Sequence, residues 1–132
     1  MAPIWGPTLD AVLDNFDEFL TRLGGEAVPR PGRAAVVEST ARGVVLVNAR
    51  ILFPGAFLDV RAVVAADADV VEYSFHVQRG AQRLAGVHLD AIHGCHTHDP
   101  ADWSIRQSSE YASFDFVVGL VRGLLGLQEP DA

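Results

Sequence analysis

Val70-Val71-Glu72-Tyr73-Ser74-Phe75-His76-Val77-Gln78 decides the fold class. Val71, Tyr73, Phe75 and Val77 alternate with Glu72, Ser74, His76 and Gln78. A period of two suits a strand with one face on a core and the other polar. The next run, Arg83 to Ile92, alternates likewise: Val87, Leu89 and Ala91 share one face, His88 and Asp90 the other. Arg79, Gly80 and Ala81 make a connection short enough for a hairpin, so the two strands are expected to pair antiparallel. That pairing brings His76 onto the face of His88 and Asp90, and a slip of one residue would undo it.

Outward from this hairpin, β-branched residues at Val36–Val37, Val44–Ile51 and Val60–Val64 predict further strands. Gly43, the Pro54–Gly55 pair and the Ala66 to Asp69 segment separate them as turns. Ser104 to Gln107 is expected to add a short edge strand. The flanks read as helices. Thr8 caps a helix from Leu9 to Leu23, in which Leu9, Val12, Leu13, Phe16, Phe19, Leu20 and Leu23 recur at helical spacing. Gly24 and Gly25 stop it, and Pro29, Pro31 and Gly32 read as a stiff link.

A second helix is predicted over Ser113 to Leu127. Its Gly119, Gly123 and Gly126 form a small-residue track suited to close packing. Its apolar residues cover enough of the circumference to predict burial or a homodimer contact. The whole is one α+β domain over residues 1–132, a mainly antiparallel sheet packed with an N-terminal and a C-terminal helix.

A 49% hydrophobic chain of 132 residues can build a real core without a staple. The single cysteine, Cys95, forms no internal disulfide and favours a reducing compartment. No stretch reaches the roughly twenty apolar residues of a membrane span. The longest, Phe114 to Leu127, is broken by Asp115 and Arg122. The start does not read as a signal peptide. A cytoplasmic protein with no membrane partner is the expectation. The formal charge of −7 opposes a broad grip on nucleic acid but permits a local basic patch.

Chemistry concentrates in His88, Asp90, His93, Cys95, His96, His98 and Asp99, where four of the five histidines fall within eleven residues. One reading is a metal site: His93, His96 and His98 as ligands, with Cys95, Asp90, Asp99 or His76 as the fourth, in a metal-binding protein or metal-assisted hydrolase. Zinc is the first candidate there, and manganese or nickel fit the same donors. The other reading is metal-free RNA cleavage, which requires no cofactor. His93, His96 and His98 would supply the base that takes the ribose 2′-hydroxyl proton and the acid that protonates the leaving oxygen. Arg61 would steady the phosphate and Asp90 would orient the site. His76, His88, Arg106 and Trp103 are candidate substrate contacts. Each residue also has an ordinary role open to it: polar strand face, solvated loop, salt bridge or turn cap. Tyr73 and Phe75 are expected to pack, and Cys95 to be structural.

The order of these segments resembles the TumE-like family of small toxins. Leu58-Asp59-Val60-Arg61, Tyr73-Ser74-Phe75-His76, Asp90-Ala91-Ile92-His93 and His96-Thr97-His98 carry the resemblance, followed by a Ser-rich step into a terminal helix. It spans Ile51 to Leu125, just over half of the chain. The resemblance implies the toxin of a toxin–antitoxin pair, a ribonuclease acting on RNA and neutralised by a cognate antitoxin protein. It brings forward Arg61, His76, Asp90, His93, His96 and His98. A non-catalytic, partner-binding module is the alternative outside enzymology.

Overall fold

The Thr8 hydroxyl accepts a hydrogen bond from the Ala11 N–H (3.2 Å), which satisfies one of the free donors at the start of helix α1, Leu9–Leu23. Gly24, in the left-handed region, closes it by donating to the Leu20 carbonyl (3.1 Å). The computed structural model describes residues 5–98, 101–107 and 112–127. After α1 come β1 (Glu26–Pro29), β2 (Val37–Ser39), β3 (Val45–Phe53), β4 (Ala56–Val64), β5 (Val70–Arg79), β6 (Gln82–Asp90), β7 (Gly94–His98), β8 (Ile105–Gln107) and helix α2 (Phe114–Leu125).

The strands form one eight-stranded antiparallel sheet in the order β1-β3-β4-β5-β6-β7-β8, with β2 also on the β3 edge. Antiparallel hairpins need only short turns, and the Pro54–Gly55 and Gly80–Ala81 steps provide two of them. No helix among the described residues is long and apolar enough to cross a membrane.

Both helices lie on one face of the sheet, so the period-two pattern becomes an α+β two-layer core. Leu58, Val60, Tyr73, Phe75, Val77, Val87 and Leu89 point into it. From α1 come Val12, Phe16, Phe19 and Leu23, and from α2 Phe114, Val117, Val118 and Val121. The rings of Trp5 and Phe114 stack at 4.5 Å, and Phe19 lies 4.9 Å from Phe114 and 6.1 Å from Phe75. Tyr73 and Phe75 are packing residues, as expected. The Tyr73 hydroxyl accepts from the Ala112 N–H (2.8 Å) and meets the buried Cys95 Sγ at 3.3 Å. These polar contacts tie the chain entering α2 to the sheet.

Three local expectations differ from the structure. Val71 does not share the core face: it is 53% exposed, while Val70 is fully buried. Val63 pairs with Glu72 and Val64 with Val70, so Val71 is the extra residue of a β-bulge. The supposed link at Pro29 is the end of edge strand β1, where a proline without an N–H is tolerated. Gly119 and Gly123 are exposed, with open space where a Cβ would stand, so the glycine track packs against nothing described. Gly119→Ala and Gly123→Ala should therefore each stabilise the fold by up to about 1 kcal/mol, read from urea midpoints. A loss of stability would show that the track is a contact surface after all.

Candidate functional site on the polar face of the sheet

The face away from the helices gathers the histidines by register. His88 on β6 lies directly across from His96 on β7, and Gly86 across from His98. On the other side of β6, Gly86 lies across from His76 and Ser74 across from His88. Four imidazoles thus occupy neighbouring positions on three strands. Ring centroids are 5.0 Å apart for His88 and His96, 4.6 Å for His88 and His98, and 5.1 Å for His96 and His98. His76 Nε2 contacts His88 Nε2.

Gly86 creates the space at the centre. A Cβ there would lie 2.9 Å from the Trp103 ring, which stacks on His98 at 4.8 Å with an interplanar angle of 3°. The Arg83 guanidinium covers the indole from 5.0 Å. Trp103 adopts a positive φ of 58°, uncommon for a bulky residue and a mark of local constraint. It forms one wall of the site.

The turn from β6 to β7 supplies a second group. Asp90 Oδ1 accepts from the N–H groups of Ile92 (2.9 Å) and His93 (2.7 Å), and Gly94 takes φ +66° to re-enter the sheet. His93 Nδ1 lies 3.7 Å from Asp90 Oδ1, and His96 Nε2 lies 4.0 Å from Asp90 Oδ2. Two sets consequently converge, each with ligand atoms within 4.8 Å of one another: His88, His96 and His98, and Asp90, His93 and His96. His96, 1% exposed, belongs to both.

Hydrogen bonds select the tautomers. A carbonyl only accepts, so His96 Nδ1 donates to the Gly94 oxygen and His98 Nδ1 to the Trp103 oxygen, both at 3.0 Å. In the neutral rings, Nε2 is left with its lone pair. This outer support is the arrangement that holds metal-binding imidazoles in place.

Burial pushes His88 down to about 3, helped by the charges that His76, His98 and His96 would carry; Asp90 opposes the shift. His76 is also lowered, first by burial and then by His98, Arg30 and Arg83. Asp90 is held below the usual carboxylate value, chiefly by the His93 backbone N–H. At neutral pH His88 and His76 are uncharged, and one of them donates its Nε2–H to the lone pair of the other.

A depressed histidine makes the unfolded chain bind more protons than the folded one below the ordinary value of 6.5. The His88 contribution is thus complete above that value and lost as pH falls from it towards about 3. The urea midpoint of the metal-free protein should drop between pH 7 and pH 5, and His88→Gln should flatten that drop. An unchanged slope in the variant would refute the assignment.

The predicted ligands His93, His96 and His98 do not form one convergent set among the described residues. His88 takes the place beside His96 and His98, and His93 stands with Asp90 across His96. Cys95 faces the core, away from the imidazoles, and Asp99 lies outside the described residues. His76 joins the cluster through His88. Arg61 is on the same polar face but pairs with Glu72. It is two strands from His88, about 10 Å. Arg106 pairs across from Thr97, which alternates with His96 and His98, so it lies on the opposite face from them.

Sequence reasoning did not single out Asn48, Arg50, Arg30 or Arg33, which share the polar face with Arg61. The two-residue spacing of Asn48 and Arg50 was the available signal, hidden until the faces of β3 were known. No family model, curated protein or solved structure matches this chain.

Proposed function

We propose that the polar face is a metal-dependent hydrolytic site for phosphodiesters, with His88, His96 and His98 as ligands and zinc as the first candidate metal. The convergence of these three imidazoles carries the reading. Three neutral nitrogens with a remaining open position make the donor set of catalytic zinc. Tetrahedral zinc places nitrogens about 3.4 Å apart, so modest side-chain rotation from the present spacing closes the set. A bound divalent ion would supply Lewis-acid polarisation of a phosphoryl oxygen and activation of water.

The protein groups divide the remaining work. Gly94 and Trp103 carbonyls hold His96 and His98 in the ligating tautomer. Trp103 screens one side from solvent, and the exposed His93, oriented by Asp90, stands at the mouth to move a proton. RNA is the substrate that the motif resemblance implies, within a toxin–antitoxin pair whose antitoxin is the protein partner. That setting rests on the resemblance alone.

The Asp90–His93 pair also supports a second reading, metal-free cleavage of RNA by histidine acid–base chemistry. Chelation separates the two. Purified protein is incubated with RNA before and after chelator treatment and zinc restoration. Loss and recovery of cleavage support the metal site. Chelator-resistant cleavage with cyclic-phosphate ends supports the second reading. Intact RNA under every condition overturns both.

A further inference from the structure

Beside the histidines, Arg30, Pro31, Arg33, Asn48, Arg50 and Arg61 line a cleft of about 340 Å³. The backbone builds it deliberately from an edge. The Arg30-Pro31-Gly32-Arg33 turn is closed by the Arg33 N–H donating to the Arg30 carbonyl (3.0 Å). Pro31 occupies its second position, and Gly32, at φ +82°, its third, where a glycine is favoured. The Arg30 N–H then donates to the Asn48 carbonyl (3.1 Å), at the point where the β3 edge passes from β1 to β2. Across β3 and β4, Asn48 stands opposite Arg61, and Arg50 opposite Asp59.

The charges in this cleft are unbalanced. Arg50 forms a two-pronged pair with Asp59 (2.8 and 2.9 Å), whose Oδ2 is 3.9 Å from Arg30 Nε, and Arg61 pairs with Glu72. Four guanidinium groups therefore meet two carboxylates, in a chain whose net charge is −7. Arg33 has no acidic partner among the described residues. Arg30 Nε is buried and, beyond its 3.9 Å approach to Asp59, makes no hydrogen bond among the described residues. Asn48 is only 3% exposed and lines the cleft, and its side-chain amide bonds to no described residue, so its polar atoms reach the cleft's solvent. A buried donor without a hydrogen bond calls for a ligand or water. Guanidinium forks beside an amide N–H match the several acceptor oxygens of a phosphate.

We infer that this cleft binds a phosphate of the substrate strand that flanks the one undergoing hydrolysis. Arg33 and Arg61 supply charge, and Arg30 and Asn48 donate hydrogen bonds. Two strand spacings, about 10 Å, separate Arg61 from His88, too far for one phosphate to meet both backbone positions closely but suited to a neighbouring phosphate of the same chain. Asp59 lies directly across from His76, so the cleft and the histidine cluster adjoin on one face. The inference deepens the hydrolytic reading and rests on it for the identity of the second phosphate.

The test titrates the full, metal-free chain with inorganic phosphate and, separately, with a five-nucleotide single-stranded DNA, followed by amide NMR shifts. Saturable binding of both is expected, tighter for the oligonucleotide, with shifts at Arg33 and Asn48. Arg33→Ala, at an exposed turn that tolerates the change, should weaken both about tenfold. Arg42→Ala, an exposed arginine outside the cleft, should change them less than twofold. No saturable binding, or equal weakening by both variants, overturns the cleft. Phosphate binding with no gain for the oligonucleotide overturns its flanking role. Zinc loading of the wild type, measured beside phosphate binding, separates the two proposals: phosphate binding without zinc loading sinks only the histidine site, and zinc loading without phosphate binding sinks only the cleft.

Discussion

His96→Ala is expected to lower zinc affinity by more than about 100-fold, measured by competition with a chromophoric chelator. Loss of an outer-shell support alone commonly lowers metal affinity 10–100-fold, so loss of a ligand should exceed that range. His96 is the shared member of both convergent groups and is almost fully buried, which makes it the most informative position. His98→Ala, at a less buried ring, should produce a comparable loss and guards against a folding defect in the first variant. His93→Ala should leave zinc loading within a few-fold while reducing hydrolysis, because His93 lies with Asp90 rather than with His88 and His98. Equal loading of the wild type, His96→Ala and His98→Ala proteins would remove the metal assignment.

Phe19→Ala should destabilise the domain by about 3–5 kcal/mol, the largest expected effect of a single core truncation here. Phe19 is 1% exposed, and its ring touches Phe16 (6.0 Å), Phe75 (6.1 Å) and Phe114 (4.9 Å). It therefore joins α1, the central sheet and α2 in one packing unit. Typical domains have only about 5–15 kcal/mol in total, so the loss should be plain in urea unfolding. A change below about 1 kcal/mol would mean that the helices are not held to the sheet through this ring.

Hydrophobic period was the most legible feature. The helix over Leu9–Leu23, with Thr8 as its cap, matches its sequence pattern residue for residue because cap, apolar spacing and terminal glycine all agree. Alternation along β5 and β6 also revealed the shared face of His76 and His88, since side chains on a strand must alternate. It misassigned Val71, because two adjacent valines fit either phase and only the pairing with β4 creates the bulge. Strand β7 was hidden for another reason. Gly94-Cys95-His96-Thr97-His98 has little apolar content, and its strand conformation comes from pairing to β6 and β8.

Sequence alone determined the α+β class, the two terminal helices, the antiparallel hairpin at Gly80 and the concentration of histidines, all of which follow from short-range spacing. Tertiary structure decided which histidines meet. His88 is eight and ten residues from His96 and His98 along the chain, but strand register sets it directly across from one and diagonal to the other. The same register sent Arg106 to the far face and assembled Arg30, Asn48, Arg50 and Arg61 into a cleft from two strands and a turn. The physical reason is that local spacing governs which way a side chain points from its own strand, whereas partners across a sheet are chosen by burial of the whole apolar face.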